Sequence, residues 1–263
     1  QEAAYPGSRT GRPPAGLSQP SQNEEYSYRI KLADRDGDTD DGVDAGIIGS
    51  NGLKRLEGRE KALLFRTRRT VDKLLVGLGN PGLQYQNTRH NAGYVAVEAI
   101  AGNGGLSLQK KKFQGSCAEG TLWGKKVLLL KPETFMNLSG RSVAAAMRYY
   151  KVPPEDVILL FDDITLPLGQ IRLRRTGSDG GQNGVKHILC ETGSDDFPRI
   201  KIGIGPRPHP DYDLAKFVLS KLSREEQKIL EGTLEQVVGA AKLMVEGRMD
   251  EAMSRYNKRG IGG

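Results

Sequence analysis

The stretch KLLVGLGNPGLQYQNTRHNAGYVAVEAIA, residues 73–101, decides the fold of this chain. It opens with a short apolar run, Lys73–Leu78, that predicts a buried strand. A turn rich in glycine follows, and from Asn91 to Ala101 apolar residues recur at helical spacing. A buried strand that passes through a turn into a helix is typical of a layered α/β domain.

Strand-like and helix-like segments alternate along the rest of the chain. The predicted strands are Gly115–Leu122 and Lys126–Leu130 (a hairpin), Val157–Phe161, Gln170–Arg174 and Arg199–Ile204. The predicted helices are Ser142–Tyr150, Gly184–Cys190 and one or two amphipathic helices within Arg224–Lys258. This alternation predicts an α/β fold: a single three-layer α/β/α domain over residues 71–263, with a mixed, mostly parallel, twisted sheet.

The first seventy residues differ in composition from this domain. Residues 1–22 are rich in Pro, Gly and Ser, and residues 34–44 (DRDGDTDDGVD) are acidic. Neither stretch has a helical or strand period, so residues 1–70 are predicted to be a disordered extension. The aspartate spacing suggests a calcium-binding EF-hand loop, but Asp41 stands where that loop needs glycine and Ile47 where it needs glutamate.

Charge and cysteine content narrow the functional classes. The net charge of +7 fits a polyanionic partner such as nucleic acid. Cys117 and Cys190 lie far apart and outside metal-ligand spacing, which favours free thiols in a reducing compartment. Since no apolar run reaches membrane-spanning length, we expect a cytoplasmic protein, or an organellar one if the extension is native.

Three glycines, Gly77, Gly79 and Gly82, match the dinucleotide-binding pattern G-x-G-x-x-G. Their context argues against a dinucleotide-dependent oxidoreductase. Pro81 lies inside the loop, and polar residues continue to Arg89 before helical spacing starts, whereas a dinucleotide site needs the helix to begin at the loop. No second strand ending in an acidic residue follows at the required distance.

Polar residues instead recur where predicted strands end. Asn80 and His90 follow the first strand, Asn137 follows another, Asp162 comes directly after Val157–Phe161, and Asn183 lies in a Gly-rich turn before a helix. The carboxyl ends of strands are where open α/β sheets place their sites, so these side chains are predicted to share one pocket. Each asparagine taken alone fits a turn or helix-cap role equally well.

Four segments together resemble the bacterial-type peptidyl-tRNA hydrolase family. They are GLGNPGLQYQNTRHNAGY (77–94), KPETFMNLSG (131–140), FDDITLPLGQIRLRRTGSDGGQNGVKHI (161–188) and FPRIKIGIGPRP (197–208), in the family's order and spacing. The resemblance runs from about Val71 to the end of the chain. It implies an enzyme that releases tRNA from peptidyl-tRNA by hydrolysing an ester, with no metal and no cofactor. The resemblance leaves the oligomeric state open, and a monomer is the default expectation.

The resemblance also implies residue roles. His90 is the expected general base, Asp162 orients it, and Asn80 and Asn137 hold the peptide carbonyl and the attacking water. Asp163 is expected to point away from the face that Asp162 uses. The remaining expected substrate-binding residues are Tyr85, Phe135 and Met136 around the pocket, Asn183 to gate or position the substrate, and Arg174 with Lys201 at the tRNA 5′-phosphate. Hydrophobic packing is an alternative role for Phe135 and Met136.

Two positions depart from the commonest family pattern. Gln182 stands where many members have histidine, and Asp179 is an acid in a loop that is more often neutral; we expect neither to belong to the His–Asp core. The main alternative function is that of a non-catalytic relative that binds structured RNA as a splicing scaffold. The catalytic set is complete in this sequence, which favours the enzyme.

Overall fold

The computed structural model describes residues 70–257, so the predictions for the first 69 residues, disorder and the absence of a calcium loop, lie outside the described part of the chain. Seven strands form one sheet. In chain order they are β1 (Lys73–Gly77), β2 (Lys110–Lys112), β3 (Gly115–Leu122), β4 (Lys125–Pro132), β5 (Val157–Asp163), β6 (Ile171–Arg174) and β7 (Arg199–Gly203).

The sheet is parallel at its centre and antiparallel at both margins. Its strand order is β2-β3-β4-β1-β5-β7-β6. Strand β1 pairs in parallel with β4 and β5, with Leu75 opposite Leu129 on one side and Ile158 on the other, and β5 pairs in parallel with β7. Strands β3 and β6 run antiparallel to β4 and β7. The predicted mixed, mostly parallel sheet is therefore confirmed.

Helices cover both faces of the sheet. They are α1 (Ala92–Asn103), α2 (Ser139–Tyr150), α3 (Asn183–Thr192), α4 (Leu214–Val218), α5 (Arg224–Val245) and α6 (Met249–Tyr256). Because side chains alternate along a strand, Leu75 and Leu160 pack with α1, α4, α5 and α6, whereas Leu74, Val76 and Phe161 pack with α2 and α3. The two buried clusters make the predicted three-layer α/β/α architecture. None of the helices within residues 70–257 is both long and apolar enough to span a bilayer.

Two glycines let α1 lie directly on the sheet. A Cβ atom on Gly77 would fall 2.2 Å from the carbonyl oxygen of Gly93, and one on Gly93 would fall 2.3 Å from that of Leu160. Both distances are too short for real carbon atoms, so only glycine permits this approach. The first glycine of the G-x-G-x-x-G pattern therefore serves helix–strand packing. Helix α1 begins only at Ala92, well past Gly82, which agrees with the argument against a dinucleotide loop.

Two elements were not predicted from the sequence pattern. Strand β2 consists of three lysines and has no apolar residue; it exists because it pairs with β3. Helix α4 has five residues, too few for a helical period to be recognised. Every predicted strand and helix overlaps an observed one, and the ends differ by a few residues. Helix α2, for example, starts at Ser139 instead of the predicted Ser142.

Candidate active site

A cavity of about 730 Å³ opens where β1, β4 and β5 end. Eight of the ten residues predicted for the site line it: Asn80, His90, Phe135, Met136, Asn137, Asp162, Asn183 and Lys201. They come from four separate segments of the chain, and the parallel strands bring those segments to the same edge of the sheet. The two others lie outside the lining: Tyr85 sits in a separate 3₁₀ turn, Leu83–Tyr85, and Arg174 is exposed at the end of the edge strand β6.

His90 and Asp162 form a buried hydrogen-bonded pair. His90 lies in the 3₁₀ turn Arg89–Asn91 that leads into α1, and Asp162 is next to last in β5. The His90 Nδ1 and Asp162 Oδ2 atoms are 2.8 Å apart. Since an ionised carboxylate only accepts hydrogen bonds, Nδ1 carries the proton and Nε2 of the neutral ring holds a free lone pair. Within residues 70–257, Nε2 has no hydrogen-bonding or ion-pair partner.

The surroundings of His90 act on its pKa in opposite directions. Burial of the imidazole lowers the pKa, and the negative charge and hydrogen bond of Asp162 raise it. The effect of Asp162 prevails, so the pKa of His90 lies above the ordinary value of 6.5. An imidazole with a raised pKa is a stronger base than free histidine.

The backbone and side chain of Asn80 are held by several hydrogen bonds. Asn91 accepts the Asn80 backbone N–H through Oδ1 at 2.8 Å and donates its own amide to the Asn80 carbonyl at 3.1 Å. The Asn80 Oδ1 accepts the backbone N–H of Met136 at 2.8 Å. The Nδ2 group of Asn80 is thereby left at the cavity as a hydrogen-bond donor.

The other walls of the cavity are partly apolar. The loop after β4 contributes Phe135, which is 54% exposed, and the exposed Asn137. Leu214 in α4 and Leu219 just after it, 40% and 41% exposed, line the cavity as well. These two leucines were missed in the sequence, where the short apolar pattern of α4 was the only signal. Exposed apolar side chains around a cleft fit a ligand that is itself partly apolar.

A second ion pair lies at the edge of the cavity. The Lys201 Nζ is 2.7 Å from Asp163 Oδ2, and Asp163 Oδ1 accepts hydrogen bonds from both the backbone N–H and the hydroxyl of Thr165. Burial raises the pKa of Asp163, but the contacts with Lys201 and Thr165 lower it by more, so the net shift of the pKa is downward. Asp163 therefore bonds away from His90, as strand alternation predicted.

The expectation that Gln182 stands outside the His–Asp core is wrong. Its Nε2 donates to Asp162 Oδ1 at 3.1 Å, and its Oε1 accepts the N–H of Val185 as the N-cap of α3. The N-cap position places the side chain over the end of β5, which nothing in the local sequence indicated, because glutamine is not a preferred N-cap residue. Asp179 also lines the cavity, where its carboxylate accepts the N–H of Gly181 at 2.6 Å.

The geometry agrees with comparisons to known proteins. A family model described as peptidyl-tRNA hydrolase matches residues 74–262. The chain belongs to the peptidyl-tRNA hydrolase family. It is 46% identical over 184 residues to the peptidyl-tRNA hydrolase of Clostridium acetobutylicum, covering 70% of this chain and 97% of that protein. It is also 46% identical over 186 residues to that of Desulfitobacterium hafniense, covering 71% and 100%.

A solved structure of the same family supports the fold. The crystal structure of peptidyl-tRNA hydrolase from Acinetobacter baumannii aligns with a TM-score of 0.67 and 37% identity. The alignment covers 70% of this chain and 94% of that one. As for bound ions, no group of three or more His, Cys, Asp or Glu side chains within residues 70–257 is arranged to hold a metal.

Proposed function

We propose that this chain hydrolyses the ester bond between a peptide, or an N-blocked aminoacyl group, and tRNA, releasing free tRNA for reuse in translation. The observation that carries the proposal is the buried His90–Asp162 pair, whose two residues line the cavity at the ends of β1, β4 and β5. Membership of the peptidyl-tRNA hydrolase family supplies the substrate class. The relatives named above carry this activity in their names, which supports the same reaction here.

In the proposed mechanism, His90 activates water. The Nε2 atom takes a proton from a water molecule as that water attacks the ester carbonyl. The negative charge that develops on the carbonyl oxygen is stabilised by the amide donors of Asn80 and Asn137, each worth about 3 kcal/mol in acyl transfer. Asp162 stabilises the imidazolium, which then protonates the departing ribose oxygen. The products are a peptide carboxylic acid and a tRNA with a free ribose hydroxyl.

The residues that line the cavity suit both halves of such a substrate. Phe135, Leu214 and Leu219 offer apolar surface to the peptide. Lys201 also lines the cavity, and Arg172 is its direct partner across the β6–β7 pair, with Arg174 two residues further along the same face. Basic groups in a row bind phosphates and confer a steep salt dependence. We assign the RNA to this basic row, with Asn183 positioning the substrate in the cavity.

The test is release of an N-blocked aminoacyl group from tRNA by wild type and by His90→Ala. We expect the wild type to be active and the variant to lose roughly 10³-fold or more of kcat, because the base is absent. His209→Ala is the matched control, since His209 is exposed and lies outside the cavity lining. Equal rates for His90→Ala and wild type would remove His90 as the base.

The alternative function, an RNA-binding scaffold, gives a different result in the same experiment. It predicts tRNA binding with no release by either protein.

We further propose that residues 71–263 form the catalytic domain and that the protein acts as a cytoplasmic monomer on tRNA. Light scattering after gel filtration measures the oligomeric state directly, and a mass of two chains would refute the monomer.

A further inference from the structure

Gln182 contacts the carboxylate oxygen of Asp162 that His90 leaves open. Its Nε2 lies 3.1 Å from Asp162 Oδ1, whereas His90 engages Oδ2 at 2.8 Å. The side chain is buried, and the same Nε2 group is 3.2 Å from the sulfur of Met136. Gln182 therefore joins the turn before α3 to the end of β5 and to the loop after β4.

The orientation of the Gln182 amide follows from its neighbours. The Val185 backbone N–H, 2.9 Å from Oε1, can only donate a hydrogen bond. The Asp162 carboxylate can only accept one when ionised. Reversing the amide would place two donors together at Val185 and two acceptors together at Asp162, so a single orientation satisfies both partners. The start of α3 thus decides which Gln182 atom meets Asp162.

Both oxygens of Asp162 are consequently occupied by donors of fixed position. A carboxylate bonded through one oxygen can still turn about its last side-chain bond, whereas one bonded through both is held in a single plane. That plane sets the direction of the Oδ2 atom that receives the His90 Nδ1–H. The imidazole ring in turn determines where Nε2 points in the cavity.

We propose that Gln182 is a positioning residue of this hydrolytic site: its amide, oriented by the start of α3, holds Asp162 in the rotamer that aligns His90. The inference rests on the proposed function for its kinetic test only. Gln182 acts through Asp162 and has no part in bond making. Its loss should lower kcat more than it raises KM, because a misplaced base weakens the transition state while substrate contacts persist.

The first test variant is Gln182→Ser, which separates the helix cap from the contact with Asp162. Serine is a preferred N-cap residue, so α3 keeps its cap, but the side chain is too short to reach Asp162. We expect a thermal unfolding midpoint close to that of wild type and a kcat lower by about 10- to 100-fold. A purely structural Gln182 would instead leave kcat unchanged in this variant.

The second test is spectroscopic and does not require activity. The chain has three histidines, so the His90 ring signals can be assigned by comparison with His90→Ala. We expect a downfield Nδ1–H resonance in wild type that broadens in Gln182→Ser, because Asp162 then turns more freely. Gln182→Glu keeps the length and the cap acceptor and adds a negative charge beside Asp162. It should move the titration midpoint of His90 to higher pH.

A double variant tests whether Gln182 works through Asp162. Adding Gln182→Ser to Asp162→Asn should cause no further loss of kcat, since the group that Gln182 positions is already altered. Losses that multiply would assign Gln182 an independent role and overturn the inference. An unchanged Nδ1–H resonance in Gln182→Ser would also overturn it. Inactive wild type would refute the proposed function, and the spectra would still decide the role of Gln182.

Discussion

Replacing Asp162 with asparagine should impair the enzyme for a reason that the hydrogen bonds specify. Asparagine has nearly the same shape, but one of its two terminal atoms is a donor. The Gln182 Nε2 group is fixed as a donor by Val185, so the oxygen of the new asparagine must turn toward Gln182. Its NH2 group then faces His90 Nδ1, which must accept, and the ring proton moves to Nε2. The wrong nitrogen is left to act as base.

The size of the effect can be stated from this geometry. A base held in the wrong tautomer costs about 10⁴-fold in kcat in catalytic triads, or about 5 kcal/mol of transition-state stabilisation. The variant also loses the negative charge that raises the pKa of His90, while the burial that lowers the pKa remains. The acid limb of kcat/KM should therefore move from above 6.5 in wild type to below 6.5 in the variant.

The assay is release of an N-blocked aminoacyl group from tRNA, followed from pH 5 to pH 9, with thermal unfolding as a check on the fold. Asp163→Asn is the matched control. It removes the same charge one position along β5, but Asp163 bonds to Lys201 and Thr165, so the acid limb should shift much less. Activity of Asp162→Asn within about tenfold of wild type, or an acid limb that moves to higher pH, would refute the reasoning.

Three further predictions follow from the described contacts. Asn80→Asp keeps the acceptor for the Met136 N–H but loses the Nδ2 donor at the cavity, so kcat should fall by about 10²- to 10³-fold with the unfolding midpoint little changed. Lys201→Gln keeps a hydrogen-bond donor for Asp163 and removes the positive charge. Binding of tRNA should therefore weaken, and the slope of log Kd against log salt concentration should decrease by about one. An unchanged slope would exclude a phosphate contact at Lys201. Gly93→Ala should destabilise the fold by about 3 kcal/mol in urea unfolding, because the new Cβ would meet the backbone of Leu160. Gly102→Ala in the same helix is the control: its Cβ would meet no atom within 4 Å, so this variant should be neutral or stabilising.

Stability should also depend on pH through His90. Its pKa is raised in the folded state, so the stabilisation from the pair with Asp162 is fully present below the unfolded-state pKa and is lost as pH rises through the folded-state pKa. The difference in unfolding free energy between wild type and His90→Asn should therefore become smaller as pH rises and reach a constant value at alkaline pH. A difference that grows with rising pH would contradict this sign.

The sequence alone determined the layers of the fold and predicted eight residues that line the cavity. Apolar runs such as Val157–Phe161 identify buried strands because a strand covered on both faces must be apolar throughout. His90, Asp162, Asn80 and Asn137 could be grouped because parallel strands end at the same edge of the sheet. The four matching segments then pointed to the family, which the comparisons confirmed.

Only the tertiary structure decided which polar atoms meet. His90 and Asp162 are 72 positions apart, and Gln182 lies 20 positions beyond Asp162. A hydrogen bond requires its two heavy atoms to lie within a few tenths of an ångström of about 2.9 Å. Such a distance depends on how β1, β5 and α3 pack together. Periodicity reports which face of an element is buried, and it carries no information about the separation of atoms on different elements.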